Sequence, residues 1–347
     1  AQNTKESQDK WVALLLVLVS YLHIVAGLSE KEARTTLVSI KTLLHSTISG
    51  LNQTIIVKKF PLDIRTAMKY CNLNPTIYQT LCCPGCFKIY PNHSTDFLIC
   101  NYRITARSKT CNSPLFDQNG HCIRQYSMQS LQEWLKVFLQ RRKIEDLLQE
   151  SVTYSNPQPE TCAHLWDGSI WYTFQDAEGR LFHQRFGNLS FGIYVDWFNP
   201  MGNKISGKHH SVGAIILFCL SLPVTVSHRY QLQNLFFVGI TPGPSEPTVL
   251  QINNVLLLLV EELHTLWQKG IEIKTPKYPR GLLVRVALIA AVCDLPAIRK
   301  LIGYASHSAN KFCLFCYLSR DNNQCLNYGS WERRSSSLEG RYNSLSA

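Results

Sequence analysis

"ALIAAVCDLPA", residues 287–297, is an almost wholly apolar run that ends on one acidic residue, Asp294, with Pro296 two positions later. Such a run reads as a strand buried on both faces. The carboxylate at its tip has two explanations. Asp-Leu-Pro suits a helix start, with Asp as the N-cap and proline in the first turn. Alternatively, the carboxylate is held there for chemistry.

The preceding segments decide what that strand belongs to. "LSFGIYVDWFNP" (189–200) is a strand that also ends on an acid, Asp196, followed by a turn. "SVGAIILFCLSLP" (211–223) and "NLFFVGI" (234–240) are β-rich runs bounded by Pro, Gly and Asn. "TPGPSEP" then leads into a long apolar helix from about Thr248 to Trp267, and "LLVRVALIAAVCD" follows as the buried strand. Three antiparallel strands, a returning helix and a fourth strand parallel to the first make a ribonuclease H-like order. Strands one and four are then neighbours, and Asp196 and Asp294 meet at the sheet's edge. Two adjacent carboxylates repel, and both stay ionised only with a cation, so a hard divalent ion, Mg²⁺ or Mn²⁺, fits the pair. Two such ions roughly 3.5–4 Å apart activate the attacking oxygen and stabilise the leaving oxygen of a phosphodiester.

The whole chain is compatible with that chemistry. Its 347 residues, 45% hydrophobic and 17% charged, exclude a disordered protein and suffice for two or three domains. A net charge of +11 and a pI near 9.0 favour a polyanionic partner or an anionic membrane surface. "WVALLLVLVSYLHIVAGL" (11–28) is about as long as a membrane span, but it contains Ser20, Tyr21 and His23. The capping box Ser29-x-x-Glu32 follows, so two packed helices joined at Gly27 are expected rather than an anchor. A second box, Ser130-x-x-Glu133, opens an amphipathic helix through about Glu150, and "GSIWYTFQD" with "GRLFHQRFG" reads as a hairpin.

The composition divides the chain into a helical region (1–70), a Cys-rich module (71–125), a linker helix (126–160) and a catalytic domain (161–347). The fold class expected is therefore α+β and multi-domain: helices, a zinc module and an incomplete ribonuclease H-like α/β domain with a mixed sheet.

Thirteen cysteines, unevenly clustered, argue for zinc rather than a disulfide scaffold. Cys83-x₂-Cys86-x₁₃-Cys100-x₁₀-Cys111 supplies four thiolates for a closed structural site in a segment otherwise too polar to hold a core. Cys122 and His121 are replacement ligands. The other reading makes C-P-G-C a turn and leaves Cys82, Cys100 and Cys111 incidental. A second group, His307-x₅-Cys313-x₂-Cys316, offers three zinc ligands with Cys325 as a fourth; its bland alternative is a reduced, buried pair.

The block from "GNLSFGIYVDWFNP" through "PGPSEPT" and "VCDLPAIRKLIGYASHSANKFCLFC", with "CCPGCFKIYP" upstream, resembles transposases of the CACTA (En/Spm) superfamily in their fungal form, over roughly residues 11–332. The resemblance implies cutting of transposon ends and joining to target DNA with Mg²⁺, in the nucleus. Asp196 matches the first acid of the family's DDE triad and Asp294 the second. The third acid of the family lies beyond the C-x-x-C pair. Here only Asp321, Glu332 and Glu339 follow, and Glu332, in "SWERRSSS", lacks a helical pattern. The chain therefore reads as a C-terminally truncated or degenerate copy with impaired chemistry, and its start at Ala1 agrees with a fragment.

DNA contact would come from basic residues. Lys204, Lys208 and His209, after Asp196, are the first candidates, with Arg141 and Arg142 in "LQRRK". Each such patch is otherwise a solvated face. Homo-oligomerisation stays open, and neither a membrane nor a small-molecule substrate is expected. Two readings compete with the enzyme: a non-catalytic, zinc-stabilised DNA-binding protein derived from a transposase, and a membrane-anchored protein with disulfides.

Overall fold

The structure is a computed structural model that describes residues 2–47, 60–90, 98–155, 162, 164–202, 210–223, 226–304, 308–322, 327, 329 and 331–333. The chain forms two compact units, Ala1–Thr76 and Ile77–Ala347.

The first unit is helical: α1 (Gln2–Ile24), α2 (Glu30–Thr47) and α3 (Ile64–Tyr70). The capping box forms as read. Ser29 N donates to Glu32 Oε2 (2.8 Å), and Glu32 N donates to Ser29 Oγ (3.3 Å). Gly27 makes the turn between α1 and α2 at φ +78°, a left-handed conformation that costs glycine little. Val12, Leu16 and Val19 of α1 pack on Ala33 and Leu37 of α2 and on Ile64 and Ala67 of α3. Among the described residues no helix is long and apolar enough to cross a membrane.

The second unit is built on an eight-stranded mixed sheet. Its strands are β1 (Tyr78–Cys82), β2 (Ile89–Tyr90), β3 (Gln125–Met128), β4 (Asn188–Phe198), β5 (Val212–Cys219), β6 (Leu235–Thr241), β7 (Ile271–Ile273) and β8 (Leu282–Ala291), in the order β2-β1-β3-β6-β5-β4-β8-β7. Only the β4–β8 pair is parallel; its neighbours are antiparallel. The expectation of helices combined with a mixed sheet is met. The Cys-rich stretch adds β1, β2 and β3 to this same sheet rather than a sheet of its own.

Alternation explains the core. Leu189, Phe191, Ile193 and Val195 of β4 turn the same way as Ile215 and Leu217 of β5 and Phe236 and Val238 of β6. Helix α7 (Ile252–Gln268), which connects β6 to β7 and β8, lays Val255, Leu259 and Leu266 on that face. Helix α4 (Leu131–Gln140) adds Leu131, Leu135 and Phe138, and α5 (Ile144–Thr153) adds Ile144 and Leu148. Each buried side chain of this size contributes about 1.5–3 kcal/mol over its exposed state.

Three readings need correction. The single helix expected through Glu150 is two, because Lys143 adopts φ +69° and breaks the ladder after Gln140. Its capping box is only half formed. Ser130 Oγ accepts from Glu133 N (3.4 Å), but Glu133 accepts from the Tyr78 hydroxyl, and Glu262 of α7 caps the helix instead. The hairpin expected over 168–187 is a short helix, α6 (Ser169–Thr173), and a 3₁₀ turn (Phe182–Gln184) held by the single bridge Gln175–Leu181. There the Asp176 carboxylate accepts from the backbone of Glu178 (3.0 Å) and Arg180 (2.9 Å), closing a tight turn before a ladder can grow.

Candidate carboxylate and cysteine sites

Asp196 and Asp294 come from the ends of neighbouring parallel strands. Phe191 is level with Leu288 and Ile193 with Ala291, so β8 carries one extra residue at Ile289. Val292 N donates to Ile193 O (2.9 Å), and Val195 N donates to Cys293 Sγ (3.3 Å). The last paired residues are Ile193 and Ala291, where β8 ends, and Val292–Asp294 lead from it to the helix that Asp294 caps. The extra residue shifts the alternation. Val284 and Val286 of β8 face the core, and strict alternation would send Asp294 after them. The bulge at Ile289 reverses the parity within β8, so Ala291 is level with Ile193, and Cys293, past the strand's end, packs against the core.

Both acids have defined surroundings. The Tyr194 hydroxyl donates to Asp196 Oδ2 (3.0 Å). That bond pushes the Tyr194 phenol above its ordinary range, with burial next and then the charges of Asp196, Cys293 and Asp294. Burial pushes the Cys293 thiol up, and the charges of Asp294 and Asp196 add to it. Asp294 also caps a helix: its Oδ1 accepts from Ala297 N (2.7 Å) at the start of α8 (Leu295–Leu301). Its Oδ2 makes no hydrogen bond among the described residues. The helix-cap explanation of this residue therefore holds. Gly192, two residues before Tyr194 on the same face, lies under the Phe218 ring, where an added Cβ would come within 2.4 Å of ring carbon Cζ.

The cysteine site is assembled from the loops around β1 and β2. The sulfur atoms of Cys83, Cys86, Cys100 and Cys111 all lie within 4.8 Å of one another, three of the residues being buried. Cys83 and Cys111 are 3.7 Å apart and Cys86 and Cys100 3.5 Å apart, too far for disulfides. Four sulfurs each ~2.3 Å from one ion in a tetrahedron stand just under 4 Å apart, so the donor set fits zinc. Its hydrogen bond with Cys86 holds the Cys83 thiol far below its usual range, and the same bond with burial pushes Cys86 up. Burial also pushes the Cys100 thiol up, so of these three sulfurs only Cys83 is held toward the thiolate. Gly85 is needed in the C-P-G-C turn, since a Cβ there would meet Ser113 Oγ at 2.2 Å and Cys111 Sγ at 3.2 Å.

This loop is read by the helix behind it. Gln251 Nε2 donates to Gly85 O (2.7 Å) and Asn254 Nδ2 to Cys86 O (2.9 Å), both from the start of α7. Arg124 donates to Pro84 O (2.9 Å) and stacks over Phe87, itself part of the main core. Of the alternative ligands, His121 is exposed and faces Asp117, Cys122 is exposed, and Cys82 is buried in the main core with its thiol pushed up to about 12 by burial.

The second zinc group is only half in view. Cys313 is half-buried and Cys316 buried, while His307 and Cys325 lie outside the described residues. Lys204, Lys208 and His209 also lie outside them. Arg142 is exposed. Arg141 is a brace: its guanidinium donates to Gln233 O (2.7 Å) and Asn234 Oδ1 (2.8 Å) and covers the Phe138 ring.

Residues 160–331 match the model of the transposase family tnp2. This part of the chain is similar to that family. The match spans β4 to β8 and both acids, whereas the four cysteines precede it. None of the curated proteins matches the chain. The likeness to transposases implies DNA binding.

The sequence reading missed Tyr194, although period-two alternation from Asp196 points to it. It also missed Glu262, Gln251 and Asn254, whose roles depend on contacts far along the chain and leave no local signal.

Proposed function

We propose that the chain is a transposase-derived protein of the CACTA (En/Spm) type that acts on DNA in the nucleus. In it Asp196 and Asp294 hold Mg²⁺ or Mn²⁺ for cleavage of transposon ends and strand transfer. One observation supports this reading: the bulge at Ile289 shifts the register of β8 on β4, so that simple alternation no longer points Asp294 at the core. The sheet segment β6-β5-β4-β8, with α7 between β6 and β8 and with β8 parallel to β4, supports a ribonuclease H-like core over 161–347. Zinc at Cys83, Cys86, Cys100 and Cys111 stabilises the preceding stretch.

When bound, the divalent ion supplies activation of the attacking oxygen and neutralises charge on the leaving oxygen. Tyr194 orients Asp196 through its hydroxyl, and the Ala297 amide fixes Asp294. The sheet edge thus presents two oriented carboxylates before any metal arrives. Among the described residues no third carboxylate gathers with them. Asp321 accepts from Asn310, and Glu332 is exposed. The proposed chemistry is accordingly weak.

The helix-cap role of Asp294 favours a second reading, a zinc-stabilised DNA-binding protein without catalysis. A nicking assay with Mg²⁺ on transposon-end DNA separates the two. The enzyme reading expects slow nicking by the chain and a loss of about 100-fold or more in Asp196→Ala. Equal, zero nicking by both, with DNA binding retained, would leave the second reading standing.

A further inference from the structure

Lysines are seldom buried, yet the side chain of Lys300, on α8, is only 16% exposed. Its Nζ lies 2.6 Å from Glu246 Oε2 and 4.0 Å from the centre of the Trp197 ring. Two other segments therefore meet at this one ammonium group. Trp197 follows Asp196 on β4 and packs against the core. Its indole lies across Gly213 of β5, where an added Cβ would come within 2.6 Å of Nε1. Glu246 belongs to the turn after β6, and its Oε1 accepts from Ser211 Oγ (3.1 Å) just before β5. Ser211 N in turn donates to Pro244 O (2.8 Å), so the turn is held from both sides.

We propose that Lys300 is a positioning residue for the carboxylate site: it ties the helix that Asp294 caps to the end of β4 that carries Asp196. This rests on the reading of those two acids as a divalent-metal site. The need for such a tie follows from the fold. The β4–β8 ladder stops at Ala291, and Asp294 is oriented by its own helix, through Ala297 N. A helix of seven residues is held by its packing rather than by its internal hydrogen bonds, and Lys300 supplies its link to β4. An ammonium group suits that place because it makes an ion pair and a cation–π contact at once. Among the described residues its ion pair is with Glu246 and not with either aspartate. It acts on the acids through the elements that carry them.

The test is Mn²⁺ binding by the full chain, followed as loss of the free-ion signal in electron paramagnetic resonance. Lys300→Met should weaken Mn²⁺ binding roughly 10–100-fold, the usual cost of losing a residue that orients a metal ligand. The sign is diagnostic. Removing a positive charge near two carboxylates would, by Coulomb's law alone, tighten cation binding, so a weaker site reports position. Lys300→Arg, which keeps the charge and can still cover an aromatic face, should bind nearly as well as the unsubstituted chain. If circular dichroism shows that Lys300→Met does not fold, Trp197→Leu takes its place: it removes the ring, changes no charge and should weaken binding in the same direction. Mn²⁺ uptake that Asp196→Asn abolishes but Lys300→Met leaves unchanged, or strengthens, overturns this proposal and keeps the metal reading. A loss that only parallels a loss of folded protein overturns it too, in favour of a purely structural role. No uptake by the unsubstituted chain, or uptake indifferent to Asp196→Asn, overturns the metal reading and this proposal with it.

Discussion

The cysteine cluster and the carboxylate pair occupy the same sheet but are assembled by different means. Four sulfurs arrive from one short stretch of chain, and loop closure around β1 and β2 is enough to gather them within 4.8 Å. Asp196 sits on β4 and Asp294 three residues past the end of β8, far apart in sequence, and the strands that carry them are joined as a parallel pair with one bulge. A site of the first kind depends on ligand identity and loop shape. One of the second kind depends on every hydrogen bond that sets the register beneath it.

The contrast can be broken at its strongest point by removing a ligand. Cys86→Ser, or a chelator, should strip zinc from the chain, measured by metal analysis, with a loss on the order of 10 kcal/mol of coupled binding and folding free energy. A stable, metal-free chain with unchanged melting would make the cysteines an ordinary buried cluster. Asp196→Asn should by contrast leave folding almost untouched while abolishing Mg²⁺-dependent protection or nicking, so calorimetry and activity should separate at this residue and coincide at Cys86.

Glu262 tests whether α7 caps α4. Its carboxylate accepts from Ser130 Oγ (2.7 Å), Leu131 N (3.0 Å) and Gln132 N (2.9 Å). Glu262→Ala should cost about 2 kcal/mol in urea unfolding, because charged caps of this kind exceed neutral ones. A change within experimental error would mean that water replaces the cap.

The smallest effect concerns His183, buried and stacked on Trp171 at 5.0 Å. Burial lowers its folded pKa below 6.5, while the unfolded chain keeps the ordinary value. Between those two values the unfolded state binds the extra proton, so stability falls as the pH drops through about 6.5 toward the folded value. Melting of the wild type should therefore decline more steeply below that pH than melting of His183→Phe; parallel curves would show that the imidazole is ionised in the fold.

Much of the sheet could be read directly. β4, β5, β6, α7 and β8 all fall where apolar runs and turn residues put them, within a few positions. The Ser29–Glu32 cap formed because both partners are local. What escaped the sequence depended on distance or ambiguity. β1 and β3 are short and polar, and only pairing with each other and with β6 makes them strands. The aromatic residues of 169–186 suit a hairpin as well as the packed turns they form. The four cysteines could be proposed from spacing alone, whereas the side on which Asp294 emerges could not, since a run apolar on both faces carries no alternation.

That last point reaches beyond this chain. One in-frame codon lost between 288 and 290 would keep both aspartates, every flanking motif and nearly the same hydrophobicity, yet aim one acid into the packed interior. Counting acidic residues in related genomic copies would score such a copy as intact. If the two acids act together as proposed, the length of the run between Arg285 and Asp294 would mark such a copy as inactive.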